Sequence, residues 1–124
     1  AAEIKRTFNE VLDNINFLNS HYPLAKSRFK QRNDFYTLFD FILKNREINH
    51  KTLLYFYETL LLIAEDIKPS QTECEPFKEY AINCVTQSNS KKARELRLKF
   101  LESLFLNQGK KPNAVQKSIL KFYE

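Results

Sequence analysis

Four side chains could act as soft metal ligands or as thiol and imidazole catalysts: His21, His50, Cys74 and Cys84. A zinc centre needs three or four convergent ligands, and these cysteines stand ten residues apart rather than in a C-x2-C pair. No metal site and no cofactor is therefore expected. A cysteine nucleophile needs a histidine within hydrogen-bond reach, itself held by a third group, and no signature here marks such a set. Cys84 shares an apolar face with Tyr80 and Ala81, the setting of a small core residue, while Cys74 lies among Glu73, Glu75 and Pro76 in a loop-like stretch. Carboxylates cluster as Glu65-Asp66 and as Glu73 with Glu75, beside Lys68. Acid–base pairs work when burial separates their pKa values, and these read as solvated helix ends. A single glycine, Gly109, excludes a phosphate-cradling glycine loop or a dinucleotide fingerprint. With no catalytic residue to assign, the chain is expected not to be an enzyme in itself.

The basic residues are more informative. Residues 91 to 121 hold nine Lys and Arg against only Glu95 and Glu102, a local excess larger than the chain's net charge of +5. Lys92, Glu95, Lys99 and Glu102 alternate in sign along one helical stripe, and Glu95 to Lys99 has the favourable i,i+4 orientation. Lys91, Arg94 and Arg97 occupy an adjacent arc. With Lys92, and with Lys110 and Lys111 in the following loop, they form a candidate phosphate-binding surface. A second basic run, Lys26, Arg28, Lys30 and Arg32, alternates along the chain. As an α-helix it would contain like-charge i,i+4 pairs, so it invites an acidic partner, for which the five acids of residues 65 to 79 are the candidates.

These groups must be positioned by helices. Ile4, Phe8, Val11, Leu12, Ile15 and Leu18 make one stripe of a first helix that ends before Pro23. Asn33 can cap a second, with Phe35, Leu38, Phe39, Ile42 and Leu43 inward. Leu53 to Ile67 is apolar on more than one face and predicts a central helix that includes Leu60. Phe77, Tyr80, Ala81 and Cys84, with Pro76 in the first turn, predict a fourth helix. After a turn at Ser88-Asn89-Ser90, either Asn89 or Ser90 can cap a fifth carrying Ala93, Leu96, Phe100, Leu101 and Leu104 inward, stopped at Gln108-Gly109. Pro112 and Asn113 introduce a sixth with Val115, Ile119, Leu120 and Phe122.

The expected fold is all-α, a compact bundle of about six helices forming a single domain over residues 1–124. Hydrophobic residues at 43%, with 11 Phe and 6 Tyr, supply the core. The chain contains no Met and reads as an excised C-terminal or accessory domain of a larger protein. Two cysteines are too few for a disulfide scaffold, which fits a reducing, cytoplasmic setting. No apolar run approaches the 18 or so residues of a membrane span.

The stretch from Tyr80 to Ser90, Tyr80-Ala81-Ile82-Asn83-Cys84-Val85-Thr86-Gln87-Ser88-Asn89-Ser90, followed by Arg94 and Arg97, resembles a helix-turn-helix segment of the bacterial GmrSD-type restriction-system family. The run Arg28-Phe29-Lys30-Gln31-Arg32-Asn33-Asp34-Phe35-Tyr36 resembles the same family's downstream helical region, so the similarity covers roughly residues 28 to 122. In that family a ParB/sulfiredoxin-like N-terminal domain carries nucleotide hydrolysis and DNA cleavage through an Asp-Gly-x-x-Arg-like run. This chain has no Asp-Gly, so no catalytic residue transfers. The resemblance implies a non-catalytic accessory domain of a DNA-processing or phage-defence protein. Its expected partners are an N-terminal nuclease-like domain of the same parent chain and DNA. The competing expectation is a helical protein–protein interaction module that binds no nucleic acid.

Overall fold

In a computed structural model that describes residues 1–105 and 111–124, the 3.6-residue apolar spacing becomes six α-helices, and the described residues contain no strand. They are α1 (Ala2–His21), α2 (Arg32–Lys44), α3 (His50–Ile63), α4 (Glu75–Val85), α5 (Lys91–Leu104) and α6 (Ala114–Phe122). Short 3-10 turns cover Leu24–Lys26, Arg28–Lys30 and Ala64–Asp66. The expected stop at Gln108-Gly109 lies outside the described residues. Contacts group the chain into two units, Ala1–Leu61 and Leu62–Glu124.

In the first unit Val11 and Leu18 of α1, Leu38, Phe41 and Ile42 of α2, and Leu53 and Tyr57 of α3 are fully buried. Phe41 stacks on Phe56 at 4.3 Å between ring centroids, and the Tyr57 hydroxyl donates to the Tyr22 carbonyl at 2.7 Å. The first-helix stripe enters the core only from Val11 onward. Ile4 and Phe8 are exposed, although Phe8 still leans on Phe39 at 6.1 Å. Helix α2 begins one residue before the expected cap at Asn33, because the chain is already turning: Ser27 caps the Arg28–Lys30 turn, and Asn33 lends its carbonyl to the Thr37 hydroxyl instead.

The second unit packs α4, α5 and α6 on one another. Phe77, Tyr80 and Ala81 of α4 meet Ala93, Phe100, Leu101 and Leu104 of α5 in its core. Pro76 stands in the first turn of α4, where a missing N–H costs nothing. Ser90 alone caps α5, its Oγ accepting from the Ala93 N–H at 3.0 Å. Asn113 and Gln116 form a reciprocal capping box on α6, and the Asn113 amide also donates to the Ser103 carbonyl at 2.9 Å. Leu120, expected inward, is exposed, and no residue of α6 is fully buried.

Candidate nucleic-acid interface

The turn between α4 and α5 sets the geometry of the basic surface. Helix α4 ends at Val85, and α5 begins at Lys91 after five intervening residues. Gln87 takes a positive φ of 47°, a conformation that costs a residue with a Cβ about 1–2 kcal/mol. The turn closes through the Ser90 N–H, which donates to the Gln87 carbonyl at 3.0 Å. What holds it is Arg97. Two turns into α5, its side chain runs back toward the helix N-terminus, as helical side chains do. Nη1 donates to the Asn83 carbonyl at 2.6 Å and to the Ser88 carbonyl at 3.0 Å. A fixed cation thus sits where the last turn of α4 presents its carbonyls, and the dipole of that helix favours it there.

Arg97 is therefore not part of an exposed basic face. It is 2% exposed and among the largest fully buried side chains of the chain. The sequence holds a sign of this that hydropathy passes over: Ala93, Arg97, Phe100, Leu101 and Leu104 fall at offsets 0, 4, 7, 8 and 11, so the arginine lies on the apolar stripe itself. Leu98 is buried as well, and Leu96, expected inward, is only half-buried.

The cations left at the surface are Lys91, Lys92 and Arg94, all exposed in the first turn of α5. Lys91 meets Glu95 at 4.0 Å with both side chains largely in water, which is the ion pair formed here in place of the expected Glu95–Lys99. So long and wet a contact neutralises little. Lys111 is exposed too, and Lys110 lies outside the described residues.

The second basic run is divided. Lys26, Lys30 and Arg32 are exposed, but Arg28 turns inward, its Nε donating to the fully buried Asp34 carboxylate at 2.7 Å. The acid that compensates Arg28 is thus six residues away in the same unit, not in residues 65 to 79. Two successive 3-10 turns replace the α-helix that would have stacked like charges at i,i+4. The runs at 26–32 and 91–94 fall in different units.

Both histidines meet Phe17. His50 stacks on its ring at 3.9 Å and donates from Nε2 to the buried Asn14 Oδ1 at 3.1 Å, while His21 Nδ1 contacts the Phe17 carbonyl at 2.9 Å. Neither cysteine is in a disulfide, both are buried in the second unit, and burial pushes the Cys74 thiol up, away from the reactive thiolate. Asp66 accepts from the Tyr123 hydroxyl at 2.6 Å, and partial burial together with this bond raises the phenol of the half-exposed Tyr123 above its usual range. Among the described residues no group of three His, Cys, Asp or Glu converges as a metal site would require, and no helix is long and apolar enough to cross a membrane. Comparison with protein-family models, with curated proteins and with solved structures finds no match to this chain.

Proposed function

We propose that the second unit contacts the phosphate backbone of nucleic acid through Lys91, Lys92 and Arg94, as a non-catalytic accessory module of a larger DNA-processing protein. The observation that carries this reading is the division of labour in α5. Arg97 is consumed in holding the α4–α5 turn, whereas the three preceding cations share one exposed turn with a single long ion pair among them. Cations so placed at the start of a helix add to the positive end of its dipole. Binding of this kind is electrostatic and indifferent to base sequence, since each neutralised phosphate releases condensed counterion.

The test is fluorescence anisotropy with labelled duplex and single-stranded DNA over a range of salt. Affinity is expected to fall steeply as salt rises. Replacing Lys91, Lys92 and Arg94 by Gln should flatten the slope by about one unit for each phosphate no longer neutralised, with helicity unchanged. Wild-type salt dependence in that variant, or no binding by the wild-type chain at low salt, would sink the reading. The second reading, a protein-interaction module, draws on the exposed Ile4 and Phe8 in the first turns of α1. It moves ahead if Ile4→Ser with Phe8→Ser abolishes capture of a partner while the α5 variant leaves capture intact.

A further inference from the structure

Within the second unit α6 is held at both ends and left short in the middle. Asn113 ties its start to the Ser103 carbonyl, and Tyr123, just past its end, is bonded to Asp66 while Phe122 packs edge-on against Phe77 at 5.7 Å. Between these anchors Ala114 and Ser118, one turn apart, are too small to reach the rings of Tyr80 and Phe100, and a cleft of about 410 Å³ opens there. That volume lies in the range of small-molecule sites.

The lining selects for charge. Its floor is apolar, with Tyr80, Leu96, Phe100 and Val115. Along the α4 wall Glu75 and Glu79, also one turn apart, both face solvent, and neither has an ion pair among the described residues; Lys99 is the one cation in the lining. The neutral polar groups have already spent donors on their own helices: Ser103 Oγ donates to the Phe100 carbonyl at 2.6 Å, Ser118 Oγ to Ala114 at 3.1 Å, and Asn83 Nδ2 to Glu79 at 3.0 Å. What remains to a ligand is the acceptor oxygen of two carboxylates against the one ammonium of Lys99, a net negative charge. Such a lining favours a hydrogen-bond donor of positive charge over an anion. We propose that the α4–α5–α6 cleft binds a small organic cation, an ammonium carried on an aromatic or aliphatic body. Its ammonium would lie toward Glu75 and Glu79, and its body would rest on Tyr80 and Phe100.

The test is a titration of the full chain, followed by amide NMR shifts, with naphthylmethylamine and its neutral and anionic counterparts naphthylmethanol and naphthoate. The amine should move amides lining the cleft at the lowest concentration, and naphthoate should do so least. Glu79→Gln, an exposed change, should weaken the amine about two- to five-fold and leave the alcohol unaffected. Added salt should erode the same advantage. Ser118→Phe should fill the cleft and abolish the shifts while the helical spectrum survives; if that variant does not fold, the Glu79→Gln comparison decides alone. Lys91→Gln with Arg94→Gln should titrate as wild type, which separates this site from the nucleic-acid surface. Naphthoate binding as tightly as the amine, amine shifts outside the cleft, no shifts at all, or loss of titration in the Lys91/Arg94 variant would each overturn the proposal.

Discussion

Replacing Asp34 by alanine would leave the Arg28 guanidinium in a place where 18% of its side chain meets water. Removing one partner of a buried pair typically costs about 3–5 kcal/mol, so a matching loss of stability is expected in a urea midpoint, whereas Arg28→Met with Asp34→Leu should recover most of it. Arg97→Gln should destabilise by withdrawing the donor shared by two half-buried carbonyls, at up to about 1–3 kcal/mol for each one left unsatisfied, and it should weaken nucleic-acid binding only as far as folding is lost. The tyrosines set an alkaline limit. The phenols of Tyr57 and Tyr123 are both raised in the folded chain, first by burial, with the Asp66 bond adding to the effect at Tyr123. A proton held more tightly in the folded state stabilises fully below the ordinary phenol value of about 10 and is lost as pH rises through the raised one. Denaturation midpoints should therefore fall with pH above about 10, and less steeply in Tyr123→Phe. An equal slope in that variant would remove Tyr123 from the account.

Among the elements, α3 and α6 differ most in how they are held. Leu60 of α3 is 3% exposed, and Leu60→Ala should cost about 2 to 5 kcal/mol, because the lost methyl groups leave a cavity. Helix α6 has no fully buried residue and depends on its ends, so its amides should exchange with solvent faster than those of α5. Asn113→Ala should speed that exchange further at about 0.5–2 kcal/mol, and unchanged rates would show that the capping box is not what holds α6. The helices themselves were legible in the sequence, since apolar residues three and four apart can be buried together only on a helix face, and Pro76, Ser90 and Asn113 mark starts that the structure uses. Burial at the helix ends was less legible. Ile4 and Phe8 continue the α1 pattern past the point where anything packs on it, and periodicity reports which residues share a face without reporting how far a neighbour extends. The candidate basic surface was legible as charge but not as accessibility. Lys91, Lys92, Arg94 and Arg97 look alike in a count, and Arg97 is set apart by its place on the apolar stripe and by the two carbonyls within its reach.

For the molecule as a whole, a far-UV spectrum dominated by helix is the first expectation, and a sheet-like spectrum would contradict the fold at once. The pI near 9.2 sets a second: retention on a polyanionic resin should exceed that of a neutral chain of equal size and should drop once the α5 cations are replaced. The buried Arg97 also governs which sequences can spell this structure. In a library varied at 91, 92, 94 and 97 and selected only for folding, the first three positions should drift freely, glutamate included. Selected for binding, they should settle for lysine or arginine without preference, because a phosphate asks only for positive charge. Position 97 should accept arginine alone under either selection, because one nitrogen, Nη1, meets both carbonyls, and a lysine Nζ stops one bond short of it. Relatives of this chain would then share one unvarying arginine in the middle of an otherwise oily stripe, and that residue would trace their common fold even where the basic surface had been lost.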